Sequence, residues 1–326
     1  MIVILDKDRQ FQELQISSFN QDPCTMWGRL SNEAYCMNYI TPDVTTLRKA
    51  NMVVMRVEND LFTKMFSSVE KTCQEIQCPI VVDIEGDYNG FRNWENMAHL
   101  VARDFFAKLK AKIIIRDARI LPSVRRIYEN TFMKASIFQV QKIKNFSRKI
   151  KKQKIIFIPY PTWIKGDRNG TLSVILAEAI LKKHPRYTGI MIGGNTNDTT
   201  FLNQLRIEKI LVVQYLDYID YLTLLAQSQL CVNLDTIPGF GKIGVETAAT
   251  KTFHLGTGFC GVTGFLWKNV SRNYIEYDQL FELGDRFLSK PKDFEQDIEA
   301  AYQKVDELDV AVGETKLKKI LGVEKL

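Results

Sequence analysis

A chain of 326 residues is longer than one small core serves, so length alone predicts two domains. Hydrophobic residues at 45% and charged residues at 25% exclude a disordered or fibrous chain. The net charge of +6 favours anionic partners, whether nucleotide phosphates, acidic lipids or nucleic acid, without choosing among them.

"MIVIL" meets Asp6, Lys7, Asp8 and Arg9 at once, so it reads as a strand rather than the apolar core of an export signal, and a cytoplasmic protein is expected. No apolar run approaches bilayer length. Strands are predicted at 1–5, 51–57 ("NMVVMRV"), 79–87 ("PIVVDIEGD"), 111–118 ("AKIIIRDA") and 135–140 ("ASIFQV"), with helices at 61–76 and 94–110 between them. Apolar runs alternating with helices imply βαβ units and a mostly parallel sheet. Cys24, Cys36, Cys73, Cys78, Cys231 and Cys260 form no CxxC pair, which predicts reduced thiols. His99, His184 and His254 are scattered, and no metal site is expected of them. Asp83, Glu85 and Asp87 end a strand. They read as acceptor-binding groups or a general base, as a metal-binding D-x-E-x-D, or as caps before a turn at Asn89-Gly90.

"KIKNFSRKIKKQK", 142–154, carries seven Lys or Arg and no acid. It is a solvated linker or helix face between two domains, or a patch for acidic lipid or nucleic acid. The boundary is placed near it, giving domains 1–150 and 151–326. A second α/β series then follows: strands at 154–160, 187–195, 209–216, 230–235 and 251–258, and helices at 170–185 and 218–229. The tail beyond 294 is helical. The fold class is therefore α/β, with two Rossmann-like domains.

In open parallel sheets, ligands bind beyond the carboxyl ends of the strands. Three loops of the second half fall there: 159–170 with Lys165 and Arg168, 193–195 with Gly193 and Gly194, and 236–244 with Gly239, Phe240, Gly241 and Lys242. A glycine loop running into a helix presents free amides and the positive end of the dipole, which suits a phosphate. Lys165 and Arg168 add full charge against a diphosphate. Glu246, one turn into the following helix, either accepts hydrogen bonds from a vicinal diol such as a ribose or is a solvated surface acid.

Taken in order, these parts resemble the C-terminal domain of retaining, nucleotide-sugar-dependent glycosyltransferases of the GT-B fold, of the E-x7-E, family 4-like type. "PGFGKIGVE" holds Gly239, Phe240, Gly241 and Glu246 in register with that signature, Lys165-Gly166 matches the family's earlier Lys-Gly, and the likeness covers roughly 154–290. Two positions depart from it: Pro238 replaces the acid that faces the donor sugar, and Tyr160 the arginine that accompanies the lysine. Asp235, Thr236 and Arg168 are the nearest substitutes.

The resemblance implies an interdomain cleft, a UDP- or GDP-sugar donor, no further cofactor or metal, and transfer to a glycan, lipid-linked or protein hydroxyl. Lys165, Arg168 and the amides at Gly239–Lys242 would stabilise the leaving diphosphate, while Gly193 and Gly194 complete the donor site. It also implies that the last helix crosses back onto the first domain. Three alternatives stay open: a catalytically weakened binding module or partner subunit, a DNA-modifying glycosyltransferase, and a Rossmann oxidoreductase. Against the last, the first strand carries no G-x-G-x-x-G.

Overall fold

A computed structural model describes residues 1–6, 9–14, 27–57, 71–84, 97–115, 121–133, 138–159, 170–193, 202–203, 207–214, 216–235, 241–258, 260–273 and 276–322. The chain divides into two compact units: Met1–Phe138 with Val310–Leu326, and Gln139–Asp309.

The first unit contains β1 (Ile2–Leu5), β2 (Gln12–Glu13), β3 (Ala34–Met37), α1 (Val44–Arg48), β4 (Met52–Val57), β5 (Ile80–Ile84), α2 (Met97–Lys108), β6 (Lys112–Ile115), α3 (Leu121–Ile127) and β7 (Thr131–Met133). Its sheet runs β2-β3-β1-β4-β5-β6-β7, and only β2 is antiparallel to its neighbour. Every residue of β1 and β5 is buried, as a parallel strand covered on both faces requires. Alternate residues Val3, Leu5, Val53, Met55, Val82 and Ile84 pack into one core cluster with Phe106 and Val124. The strand expected at 135–140 is not formed over its described part: Val140 already opens a helix. Strand β7 lies just before it, in a three-residue segment too short to show a period.

The second unit contains α4 (Val140–Ser147), β8 (Gln153–Ile158), α5 (Gly170–Lys183), β9 (Thr188–Ile192), β10 (Ile210–Val213), α6 (Tyr218–Gln227), β11 (Ser228–Asn233), α7 (Lys242–Ala249), β12 (Phe253–Gly256), α8 (Gly261–Leu266), α9 (Tyr277–Ser289) and α10 (Glu295–Lys304). The last helix, α11 (Val310–Leu321), belongs with the first unit. The five strands are all parallel, in the order β10-β9-β8-β11-β12. The chain moves outward from β8 through β9 to β10. Helix α6 then carries it back to β11 on the other side of β8. That reversal places the topological switch point between β8 and β11, where an open α/β sheet leaves a crevice.

The basic run lies near the start of the second unit, its first part on helix α4. Helix α4 packs against α6 and α7. Its Lys144 is only 3% exposed and donates to Tyr302 O at 2.5 Å and Asp306 Oδ1 at 2.6 Å, with the ammonium 3.9 Å from the Tyr302 ring centre. Lys152 also turns its ammonium inward, to Ser228 O at 2.8 Å and Thr252 Oγ1 at 2.7 Å, and desolvation pulls its pKa down to about 7. Of the seven cations only Lys144 is buried; Lys152 is exposed as a residue but bonds its ammonium inward, and Lys149 and Lys151 are exposed.

Candidate functional site

Residues 160–169 and 236–240 come directly after β8 with Pro159 and after β11 with Leu234 and Asp235, the two strands that flank the switch point. Lys165, Arg168, Gly239, Phe240 and Gly194, together with Tyr160, Thr236 and Pro238, lie outside the described residues. Gly241, Lys242, Glu246, Gly193 and Asp235 lie within them.

Gly241 sits just before α7 with φ 81° and ψ 61°, in the left-handed region. A Cβ there would lie 2.7 Å from Cys260 Cβ. Glycine is therefore required twice over, by backbone conformation and by space. Among the described residues no side chain caps α7, whose N-terminus, the positive end of its dipole, follows β11 at the switch point; of its first amides, that of Gly244 donates to Gly241 O at 2.9 Å. The helix is seated firmly behind that end. Gly244 approaches Thr263 so closely that a Cβ would stand 3.2 Å from Thr263 Oγ1, and Trp267 Nε1 donates to Gly244 O at 3.2 Å. Thr257 Oγ1 donates to Asp235 O, which ties the carboxyl ends of β11 and β12 together.

Glu246 is only 1% exposed, which rules out a solvated surface acid. Tyr218 Oη donates to Glu246 Oε1 at 2.8 Å, and Tyr221 Oη donates to Oε2 at 2.8 Å. Lys242 Nζ lies 3.6 Å from Oε1 and 4.8 Å from the Tyr218 ring centre. The two tyrosines stand three apart on α6 and share a face, with ring centres 5.9 Å apart at 18°. Asp217 caps that helix by accepting from Asp220 N at 2.8 Å. Deeper in the unit, Tyr221 meets Phe157 of β8 edge-on at 5.7 Å. Burial, and then the charge of Glu246, hold the Tyr221 phenol well above its ordinary range. Burial likewise pushes up the Cys231 thiol beneath this nest.

Of the double glycine expected in the donor site, Gly194 lies outside the described residues and Gly193 lies within them. Gly193 gives its N–H to Val213 O at 2.8 Å, extending the β9–β10 pairing, so that amide is committed to the sheet. The pair Tyr218 and Tyr221 was not anticipated. Its signal is the Y-x-x-Y spacing directly after a capping aspartate in "DYIDYL".

In the first unit, Asp83 is fully buried and accepts from Trp27 Nε1 at 2.5 Å. It pairs in register with Arg56, which forms an ion pair with Asp6 at the end of β1. Glu85 and Asp87 lie outside the described residues, and His99 falls in α2. Among the described residues no three His, Cys, Asp or Glu side chains gather as a metal site.

The sequence matches no protein-family model and no curated protein sequence. The fold matches solved structures. A trehalose-6-phosphate synthase, studied with bisubstrate glycomimetics for glycosyl transfer with retention, aligns with a TM-score of 0.65 and 9% identity over 100% of both chains. A mutant of TarM from S. aureus, in complex with fondaparinux, alpha-GlcNAc-glycerol and UDP, aligns with a TM-score of 0.65 and 14% identity over 89% of this chain and 60% of its own. The pneumococcal O-GlcNAc transferase GtfA, in complex with UDP and GlcNAc, aligns with a TM-score of 0.58 and 13% identity over 83% of this chain and 56% of its own. The chain spans little more than half the length of these last two proteins. At such identities the likeness establishes the fold alone, parallel α/β sheets flanked by helices of the GT-B kind.

Proposed function

We propose that the chain is a glycosyltransferase that binds a nucleoside diphosphate sugar at the carboxyl edge of its second sheet. It would transfer the sugar to an acceptor hydroxyl with retention of configuration. One arrangement carries this reading: a left-handed Gly241, an α7 N-terminus that no described side chain caps, and a carboxylate one turn inside it, all beside the switch point. Backbone amides and dipole suit the diphosphate, and Glu246 suits a ribose diol. Two proteins sharing the fold were solved with UDP, which makes UDP-sugars the first donors to test. A third was studied for transfer with retention, which supports the same stereochemistry here.

The leaving group is a diphosphate, so the chief requirement is stabilisation of its growing negative charge. The α7 amides and Lys242 supply part of it. Lys165 and Arg168, which follow β8 in the sequence, supply the rest in this reading. The acceptor is a glycan, lipid-linked or protein hydroxyl. A second reading, nucleotide binding without turnover, is favoured by Pro238 in place of the sugar-facing acid.

The test is thermal stabilisation and donor turnover with UDP-, GDP-, ADP- and dTDP-sugars, for wild type and Glu246→Ala. A bound donor raises the melting temperature in step with its affinity. Stabilisation and turnover that both vanish in the variant support the transferase. Stabilisation without turnover, given a panel of acceptors, supports the second reading. A protein that no nucleotide stabilises is neither.

A further inference from the structure

We infer that Tyr218 is a displaceable cover over the nucleotide site, its hydroxyl holding the place of a donor ribose hydroxyl on Glu246, while Tyr221 is the fixed partner that positions the carboxylate. The inference rests on the donor-site reading above and adds a regulating residue to it.

The geometry of the carboxylate carries the argument. Each oxygen accepts from one tyrosine hydroxyl at 2.8 Å, and 1% exposure leaves a ligand no open path to either. A diol can therefore reach Glu246 only by replacing a donor already present. The two tyrosines are not equivalent. Tyr218 is the first residue of α6, at the crevice end, and its ring is held from above by the exposed Lys242 ammonium at 4.8 Å. Tyr221 lies one turn deeper and meets Phe157 edge-on. Tyr218 stands at the helix start, whereas releasing Tyr221 breaks packing against the sheet.

Oε1 is thus the ligand-facing oxygen and Oε2 the anchored one. Lys242 links the cover to the phosphate end of the site. It opens α7, 3.6 Å from Oε1, and a diphosphate at the same helix end draws its ammonium away from both Oε1 and the Tyr218 ring. Diphosphate binding would loosen the cover at the moment the ribose needs it removed. A ligand with a diol but no phosphate meets the cover closed.

The experiment is calorimetric titration of the full chain with UDP, GDP and ADP, and with the 2′,3′-dideoxy form of whichever binds. Wild type, Tyr218→Phe and Tyr221→Phe are compared, each checked for an unchanged far-ultraviolet spectrum. Both substitutions keep the aromatic ring and remove only the hydroxyl. Tyr218→Phe is expected to bind the diphosphate about fivefold more tightly, the worth of one net hydrogen bond no longer broken. It should leave the dideoxy compound's affinity unchanged. Tyr221→Phe is expected to bind the diphosphate about tenfold more weakly, because Oε2 loses its anchor. Weaker or unchanged diphosphate binding by Tyr218→Phe overturns the cover while leaving the donor site standing. Binding of no diphosphate by any of the three proteins overturns both.

Discussion

Gly241 and His254 show how single residues are fixed by their surroundings in the second unit. An L-residue at a φ of 81° costs about 1–2 kcal/mol on conformation alone. The contact of 2.7 Å with Cys260 Cβ adds to that. Gly241→Ala is therefore expected to lower stability by at least about 2 kcal/mol and to weaken nucleotide binding, read by denaturant melts and titration. The clash is with a Cβ, so adding Cys260→Gly should restore part of the loss and adding Cys260→Ala should restore none. His254 offers a pH test. It lies on β12 beside Cys231 of β11, with Nε2 3.3 Å from Thr263 Oγ1 and Nδ1 without a partner among the described residues. Burial pulls its pKa from 6.5 down to about 3. Between those values the unfolded chain binds a proton that the folded chain refuses, so stability is intact above pH 6.5 and declines as pH falls through the window. The loss from this residue reaches about 2 kcal/mol by pH 5. Denaturant midpoints of wild type and His254→Asn, compared from pH 7.5 to 5, should converge as pH falls; parallel curves would mean that the imidazole is not the titrating group.

At the scale of elements, helix α4 and the start of the adjoining strand separate cations that brace the unit from cations that only solvate it. Lys144→Ala removes the donor to Tyr302 O and the cation held against the Tyr302 ring. Its partner Asp306 is 47% exposed and recovers water, so the expected cost is about 1–3 kcal/mol rather than that of stranding a buried charge. Lys149→Ala and Lys151→Ala, both on exposed residues, should stay within about 0.5 kcal/mol. Equal losses in thermal melts at all three positions would remove the distinction. The same segment shows where sequence reading stops. The run of seven cations is visible in the chain, but the partners that bury one of them lie at Tyr302 and Asp306, far along it. Local spacing carries no trace of that pairing. Strands β1, β4, β5 and β6 of the first sheet and all five of the second are legible because segments such as "IVIL" and "IIFI" are short, mostly apolar, buried runs, whereas the two-residue β2 ("QE") and β3 ("AYCM") gave no such signal. Strand β7 ("TFM") and helix α8 ("GVTGFL") are too short, or too rich in glycine and threonine, to show a period. In the site, the glycine-loop-to-helix step and Glu246 were readable. The tyrosines that enclose Glu246 come from another helix, and only the fold brings them there.

On the scale of the whole molecule, the two units differ in how the chain builds them. The second, Gln139–Asp309, is one continuous stretch with its own aromatic core, where Phe253 stacks on Phe287 at 4.2 Å and meets Phe294 at 5.1 Å. The first is discontinuous and needs Val310–Leu326 from the far end of the chain. Val310 N donates to Phe138 O at 2.7 Å, pairing the points where the chain leaves and re-enters that unit, and Leu317 of α11 is fully buried. Truncation after Asp309 therefore removes a buried leucine and a helix that belong with the first unit. Hydrogen exchange should show amides of β1, β4 and β5 losing protection while β8, β11 and β12 keep theirs. Leu317→Ala, a milder form of the same loss, should cost about 2–4 kcal/mol in the first unit's transition alone. Tyr218, Tyr221, Lys242 and Glu246 all belong to the continuous unit, so diphosphate binding should survive truncation. Transfer to an acceptor should not, if the first unit holds it. Loss of protection spread evenly over both sheets would show instead that the chain unfolds as one cooperative block, with its last helix stabilising the nucleotide site and the first sheet together.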